Sequence, residues 1–469
     1  MEQTEEISKQ EGVKQNELAT EKIGKLIKKF SIPCIISLLV SALYNIVDQI
    51  FIGQGVGYLG NTATNIVFPL TVIALAFSLL IGDGAAAHLS LSLGKNDRES
   101  AKKGIGNGIT LVVLISIIFL IIGLVMAEPL LKLFGVTQAS YGYAKSYMFY
   151  IVLGLPFFML TNTLNSMIRA DGAPTYAMRT MLIGAIINVI LDPIAIFVLK
   201  WGVEGAAIAT VVGQVVSGML SILYIKKFKT IEVTKDSLKL KVKTVKNILG
   251  LGISSFITQI SITIVLIVMN QLLAKYGAIS KYGSDIPLSA LGIVMKVNQI
   301  VNSVIIGIAV GAQPILGFNY GAKQYKRVVQ TFMKAIQIGA IITIIGTIIF
   351  QLCPQIVINL FGQENGLYNE FAQKSFKIFL MFILLNSFQM ISGIFMQAIG
   401  KPMKSAIISL SRQILFLIPA MLILSHIGGI EGILFAGPTA DGLAFVLAMI
   451  LVTLEIKQIK KLEKQEVEE

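Results

Sequence analysis

Charged residues are scarce in this chain, 14% of the total, where soluble globular domains carry roughly 25%. A surface solvated on all sides is thereby excluded, and 55% hydrophobic residues with a mean hydropathy of +0.77 place the chain in lipid. Cysteine is nearly missing too. Cys34 and Cys353 lie far apart and no CxxC occurs, so neither a disulfide framework nor a metal knuckle is indicated. With only two histidines, no His, Cys or acid constellation suggests a reaction centre, which argues against a membrane-embedded enzyme and against any cofactor. No G-x-x-x-x-G-K-[ST] phosphate loop is present, so ATP would have to come from a partner and an ion gradient is the expected energy source. Residues 1–21 are polar and acidic and lack the apolar core and cleavage site of a secretory signal.

What is abundant is apolar sequence. Runs of about 20 residues, each enough to cross roughly 30 Å of hydrocarbon, recur from 32–53 onward. In lipid such runs close their backbone hydrogen bonds as helices. Spans are expected at 31–53, 63–93, 105–127, 145–168, 177–200 and 204–226, then at 248–274, 287–318, 331–352, 373–398, 405–425 and 433–456. The net charge of +13 follows topology and not nucleic-acid binding. Lys22, Lys25, Lys28 and Lys29 precede the first span, Lys95, Arg98, Lys102 and Lys103 follow the second, and Lys226, Lys227 and Lys229 follow the sixth. The alternate loops at 54–61 and 426–432 carry neither Lys nor Arg. By the positive-inside rule both termini are expected on the cytoplasmic side.

The two halves of the chain repeat each other. Gly84 and Gly94 recur as Gly311 and Gly321, Leu133-Phe134-Gly135 as Leu360-Phe361-Gly362, Gly172-x-Pro174 as Gly400-x-Pro402, and Glu204-Gly205 as Glu431-Gly432, at shifts of 227 or 228. The expected fold is therefore an all-α integral membrane protein of twelve transmembrane helices, in two six-helix lobes related by a pseudo-two-fold axis along the membrane normal. Its parts are a polar tail (1–21), a first lobe (22–226), a basic and amphipathic linker (227–246), a second lobe (247–456) and a tail (457–469). Folds of this kind bind a substrate between the repeats, near the midplane.

The repeat also sorts the polar residues. Those present in both halves, such as Glu204 and Glu431, serve the fold; those present in one are functional candidates. Asp48, Asn188 and Asp192 face Leu273, Leu415 and Pro419 in the other half. An acid inside a spanning helix is costly and points to function. At 1.5 Å per residue, Asp48 lies about 25 Å and Asp192 about 22 Å above the starts of their helices, with Thr210 about 9 Å below the start of its own. All three share one depth in the outer half of the membrane. Asn188 and Asp192 share a helix face, and Pro193 leaves the carbonyl of Val189 without its helical donor. Such an oxygen cluster suits a hard monovalent cation such as Na+; the two acids could equally share a proton, or only hydrogen-bond their neighbours. Asn162, Asn165, Lys296, Gln299, Asn386, Gln389 and Gln397 recur at helical spacing and are expected to line a central cavity. Asp441 is a candidate partner for Lys296, and Asp83 and His88 are expected to be interfacial or helix-packing groups.

The segments SALYNIVDQIFIG (41–53), GDGAAAHLSLSLG (82–94), RADGAPTYAM (169–178), NVILDPI (188–194) and VEGAAIAT (203–210) resemble the multidrug and toxin extrusion (MATE) family, in its DinF/MepA-like branch, over nearly the whole chain. The resemblance implies a V-shaped cavity and export of cationic or amphipathic drug-like molecules by antiport with H+ or Na+. It assigns the first-lobe cation site to Asp48, Asn188, Asp192 and Thr210, and a helix-one bend to Pro33. Another branch has an acid on helix seven where Gln259 stands here, which puts a second-lobe ion site in doubt. A monomer in a bacterial cell membrane is expected, with a lipid-linked oligosaccharide flippase of the same superfamily as the alternative.

Overall fold

The computed structural model describes residues 17–283, 285–359 and 366–468, and all regular structure among them is helical. The repeat element Leu360-Phe361-Gly362 and most of the N-terminal tail lie outside the described residues. The first half contributes α1 (Ile23–Gly55), α2 (Tyr58–Gly94), α3 (Arg98–Val125), α4 (Tyr141–Ala170), α5 (Pro174–Pro193, extended by the π-helical Ile194–Val198) and α6 (Gly202–Tyr224). The second contributes α7 (Val242–Ala278), α8 (Asp285–Gly321), α9 (Tyr325–Leu352) and α10, which is Leu367–Phe379 and Ile383–Ala398 bent by 49°. Pro402–Leu410, the π-helical Ser411–Leu417 and Ile418–Glu468 complete it. A kink at Gly429 (φ 59°, ψ −135°) divides that last run into the end of α11 and the whole of α12. With the bent pair taken as one span and the long run as two, twelve helices cross the bilayer.

The Gly-x-Pro repeat has a local cause. Gly172 (φ 87°) and Gly400 (φ 75°) take left-handed conformations at the ends of α4 and α10, which only glycine adopts without strain. Pro174 and Pro402 then open α5 and α11, where a missing N–H costs nothing.

Each half buries its own apolar core. The first is built around Ile81, Leu89, Met148 and Leu164; the second has one cluster around Phe371, Phe376 and Leu434 and another around Phe332, Phe395 and Ile408. Ile117, Ile118 and Ile121 on α3 and Ile341, Ile344 and Ile345 on α9 are exposed, as faces in contact with lipid chains should be. The linker runs without an α-helix of its own as far as Lys241, and α7 takes up the last five residues of the expected 227–246. Ile231 is buried against the first core, and Asn107 Nδ2 donates to the carbonyls of Ser237 (3.1 Å) and Lys239 (3.0 Å). Asp171 accepts from the Lys229 and Thr230 amides (2.8 and 3.0 Å). The linker is thus fastened to the first lobe.

The lobes meet where α2 crosses α7 and α1 crosses α8, toward the end whose loops are basic. These crossings are backbone contacts. A Cβ on Gly252 would stand 1.8 Å from the Leu80 carbonyl oxygen, one on Gly84 2.1 Å from that of Ile248, and one on Gly311 2.5 Å from Cα of Ser31. Gly94 and Gly321, counterparts in the repeat, face each other across the same junction. Gly250, half a turn from Gly252, has open space around it. Gly252→Ala should therefore destabilise by about 1–3 kcal/mol through overpacking, while Gly250→Ala should gain about 0.5–1 kcal/mol of helix propensity. Thermal unfolding in detergent checks this, and equal effects from the two would contradict the crossing.

Candidate cation site

Two close crossings assemble the site. α5 and α6 touch at Gly184 and Gly213, where a Cβ on Gly184 would stand 2.7 Å from the Gly213 carbonyl oxygen and one on Gly213 2.6 Å from that of Gly184. One turn beyond Gly184, Asn188 Nδ2 donates to Thr210 Oγ1 and to Asp192 Oδ1, each at 3.2 Å. α1 meets α5 at Gly55, whose Cβ would stand 2.1 Å from Ile196 Cγ2. That contact brings α1 against α5, so that the Asp48 and Asp192 carboxyls are near enough to interact. The structure thus brings together all four residues that were separate in sequence.

The site is buried and under-partnered. Asp192 is 0%, Asn188 2% and Asp48 9% exposed. Asp48 Oδ1, Asn188 Oδ1 and Asp192 Oδ2 are buried with no hydrogen-bond donor. Buried acceptors normally have one, so three such oxygens in one cluster require an explanation. Toward the non-basic end the buried Ile52, Ile196 and Ala206 close the site, with Phe51 edge-on to Phe197 at 6.3 Å. On the basic side it opens into a cavity of about 70 Å³, lined by Ser41, Tyr44, Asn162, Asn188, Thr210 and Gln214 among others. No lysine or arginine lines that cavity. Among the described residues no group of three or more His, Cys, Asp or Glu could hold a metal ion, so any cation here must be taken by two carboxylates and neutral oxygens.

The other sequence candidates fall elsewhere. Asn162 lines the cavity, but Asn165, Gln389 and Gln397 do not form a cavity wall as expected. Asn165 accepts from the Thr180 hydroxyl (2.9 Å), Gln389 donates to the Ile408 carbonyl (2.6 Å) and Gln397 to that of Leu251 (2.8 Å). Each joins two helices, the usual fate of a polar side chain between spans, with Asn165 Nδ2 left unpartnered. Asn386 is buried with its Oδ1 unpartnered. Lys296 and Gln299 are exposed on α8, and Pro33 is buried within an unbroken α1. Lys296 does not pair with Asp441. That acid is held by Arg412, whose Nε donates to Asp441 Oδ1 at 2.6 Å in a buried contact. Arg412 was the residue sequence reasoning passed over, although an arginine inside an apolar run is as much a signal as an aspartate. Its counterpart in the first half is Ala185, and that of Asp441 is Gln214; both line the cavity. Where one lobe is hollow, the other is filled by an ion pair.

A MatE family profile matches residues 33–194 and 254–422, most of both lobes. The chain belongs to the MatE family. Its relatives in that family include the "Multidrug export protein MepA" of Staphylococcus aureus (strain NCTC 8325 / PS 47), 26% identical over 439 residues and covering 92% of this chain and 94% of that one. MepA of Staphylococcus saprophyticus is 25% identical over 436 residues, covering 91% and 92%. Two solved structures share the fold: an outward-facing multidrug resistance MATE transporter of the MOP superfamily (TM-score 0.88, 23% identity, 95% and 98% covered) and a MOP superfamily transporter from Pyrococcus furiosus (TM-score 0.87, 23% identity, 95% and 98%).

Removing one member of a buried ion pair strands the other. Arg412→Met should cost about 3–5 kcal/mol of stability, and Arg412→Met with Asp441→Leu should recover most of it. Unfolding midpoints of the single and double variants decide, and equal loss from both would mean the pair is incidental.

Proposed function

We propose that this MatE-family chain is a secondary antiporter of a bacterial cell membrane, exporting cationic or amphipathic small molecules in exchange for H+ or Na+. The observation that carries the proposal is the trio of unpartnered buried oxygens on Asp48, Asn188 and Asp192. Two carboxylates facing each other repel unless a proton or a cation lies between them. Together with the Thr210 hydroxyl they form a set of hard oxygen ligands that fits Na+, and the same carboxylates can share a proton. The exported cation would be drawn by these acids when they are empty and released when they are filled, which makes the exchange obligatory.

Transmission to the lobes runs through α1. Its outer half carries Asp48 in the first lobe, while its basic half lies against α8, where Ser31 Oγ donates to the Ile308 carbonyl at 3.2 Å. The turn before it is fastened to the second lobe by Arg327, whose guanidinium donates to the carbonyls of Leu18 (3.1 Å) and Glu21 (2.8 Å). A helix anchored in one lobe and loaded in the other converts site occupancy into relative lobe movement, the alternating access typical of repeat transporters. The crossings join the lobes at the basic, cytoplasmic end, as an outward-facing arrangement requires. The multidrug export named for MepA agrees with this reading. A cavity without Lys or Arg suits cations and disfavours the flippase alternative, for which a cationic cavity is expected.

Dye efflux from proteoliposomes under an imposed pH or Na+ gradient, one at a time, tests the proposal and names the ion. Asp48→Asn and Asp192→Asn should each abolish efflux without loss of insertion. Full export by both would refute the site.

A further inference from the structure

We infer that Asp83 is a latch between the lobes, holding the basic end closed through a hydrogen-bonded chain that must break in each transport cycle. The inference rests on the alternating-access reading and adds the residue that sets the balance between its two states.

The sequence around Asp83 is Gly82-Asp83-Gly84, and its two glycines press α2 against different neighbours. A Cβ on Gly82 would stand 2.8 Å from Cα of Thr163 on α4, and one on Gly84 2.1 Å from the Ile248 carbonyl oxygen on α7. The carboxylate between them is therefore clamped at the point where the first lobe touches the second. Its oxygens divide between the lobes. Oδ1 accepts from Ser166 Oγ on α4 at 2.8 Å, and Oδ2 accepts from Ser255 Oγ on α7 at 2.8 Å. Arg169 Nη2 donates to Ser166 Oγ at 2.8 Å and lies 4.0 Å from Oδ1, compensating the charge. Ser255 in turn receives Gln397 Nε2 from α10 at 3.2 Å, while the same nitrogen holds the Leu251 carbonyl at 2.8 Å. One continuous chain thus runs α4, α2, α7, α10. Asp83, Ser166 and Gln397 are buried and Ser255 is half-buried, and a hydrogen bond to a charged acceptor is among the stronger kinds.

The repeat shows that this chain is not part of the common fold. The counterpart of Asp83 is Val310, and at the symmetry-related crossing of α8 with α1 the described residues are joined by the neutral bond from Ser31 to the Ile308 carbonyl. Of these two crossings of like geometry, that of α2 with α7 places a charged acceptor between the lobes. Parting of α2 from α7 leaves Asp83 to its own lobe, with Ser166 and Arg169, and leaves Ser255 with Gln397, so both halves of the broken chain keep a partner. That is the property of a contact made to open and reclose.

The test is electron-electron distance measurement between spin labels at Arg98→Cys and Lys326→Cys, exposed at the basic end of either lobe, in a full chain bearing Cys353→Ser. With Asp83 intact the short distance should dominate. Asp83→Ala should raise the ratio of long to short distances about tenfold, the effect of losing roughly one charged hydrogen bond. Ser255→Ala should move it in the same direction, and the double variant no further than Asp83→Ala alone. A folded Asp83→Ala with an unchanged distribution overturns the latch. Should that variant fail to fold, Ser255→Ala, which removes one hydroxyl, decides, and an unchanged distribution there overturns it equally. A parent chain showing one distance with and without dye would instead sink alternating access itself, and the latch with it.

Discussion

In hydrocarbon, a polar atom without a partner inside the protein has no partner at all, because no water competes for it. Many polar side chains of this chain meet that constraint by joining helices, as Gln389 does to Ile408, Gln397 to Leu251 and Arg412 to Asp441, while others, Asn165 and Asn386 among them, leave single atoms unpartnered. The site on α1, α5 and α6 departs from it three times within four residues. The arrangement there is held by backbone contact at Gly184, Gly213 and Gly55, so the oxygens cannot relax toward other donors. Rigid packing around unsatisfied acceptors is what an ion site requires, and it gives the first lobe its distinct chemistry.

The two lobes share a fold and not an interior. Between α5 and α6 the first lobe keeps a cavity beside Ala185 and Gln214, where the second buries Arg412 against Asp441. An ion pair already neutral has no call for a mobile cation. α1 and the linker tie the two together, α1 reaching across to α8 and α9 and the linker lying on the first lobe through Asn107 and Asp171.

Much of this was legible in the sequence. Apolar length marks spans reliably, and the glycine and proline repeat fixed the two-fold plan because those residues act through backbone conformation, which both halves need. The acids were legible because charge in a span is rare. What stayed hidden was which polar residue faces which helix. Lipid-facing and lobe-facing surfaces are both apolar, so helical spacing alone placed Gln389 and Gln397 in a cavity wall when they are buried in helix contacts. The bend in α10 and the early start of α7 at Val242 have no sharp signal, since no proline or glycine marks the break at residues 380–382.

Obligatory exchange requires that ion and drug compete at one first-lobe site. Proton or Na+ release by the purified chain on dye binding, in weakly buffered detergent solution, measures that competition directly. Release from the parent chain, none from Asp192→Asn, and full release from Arg412→Met with Asp441→Leu are predicted. Undiminished release from Asp192→Asn would contradict the account.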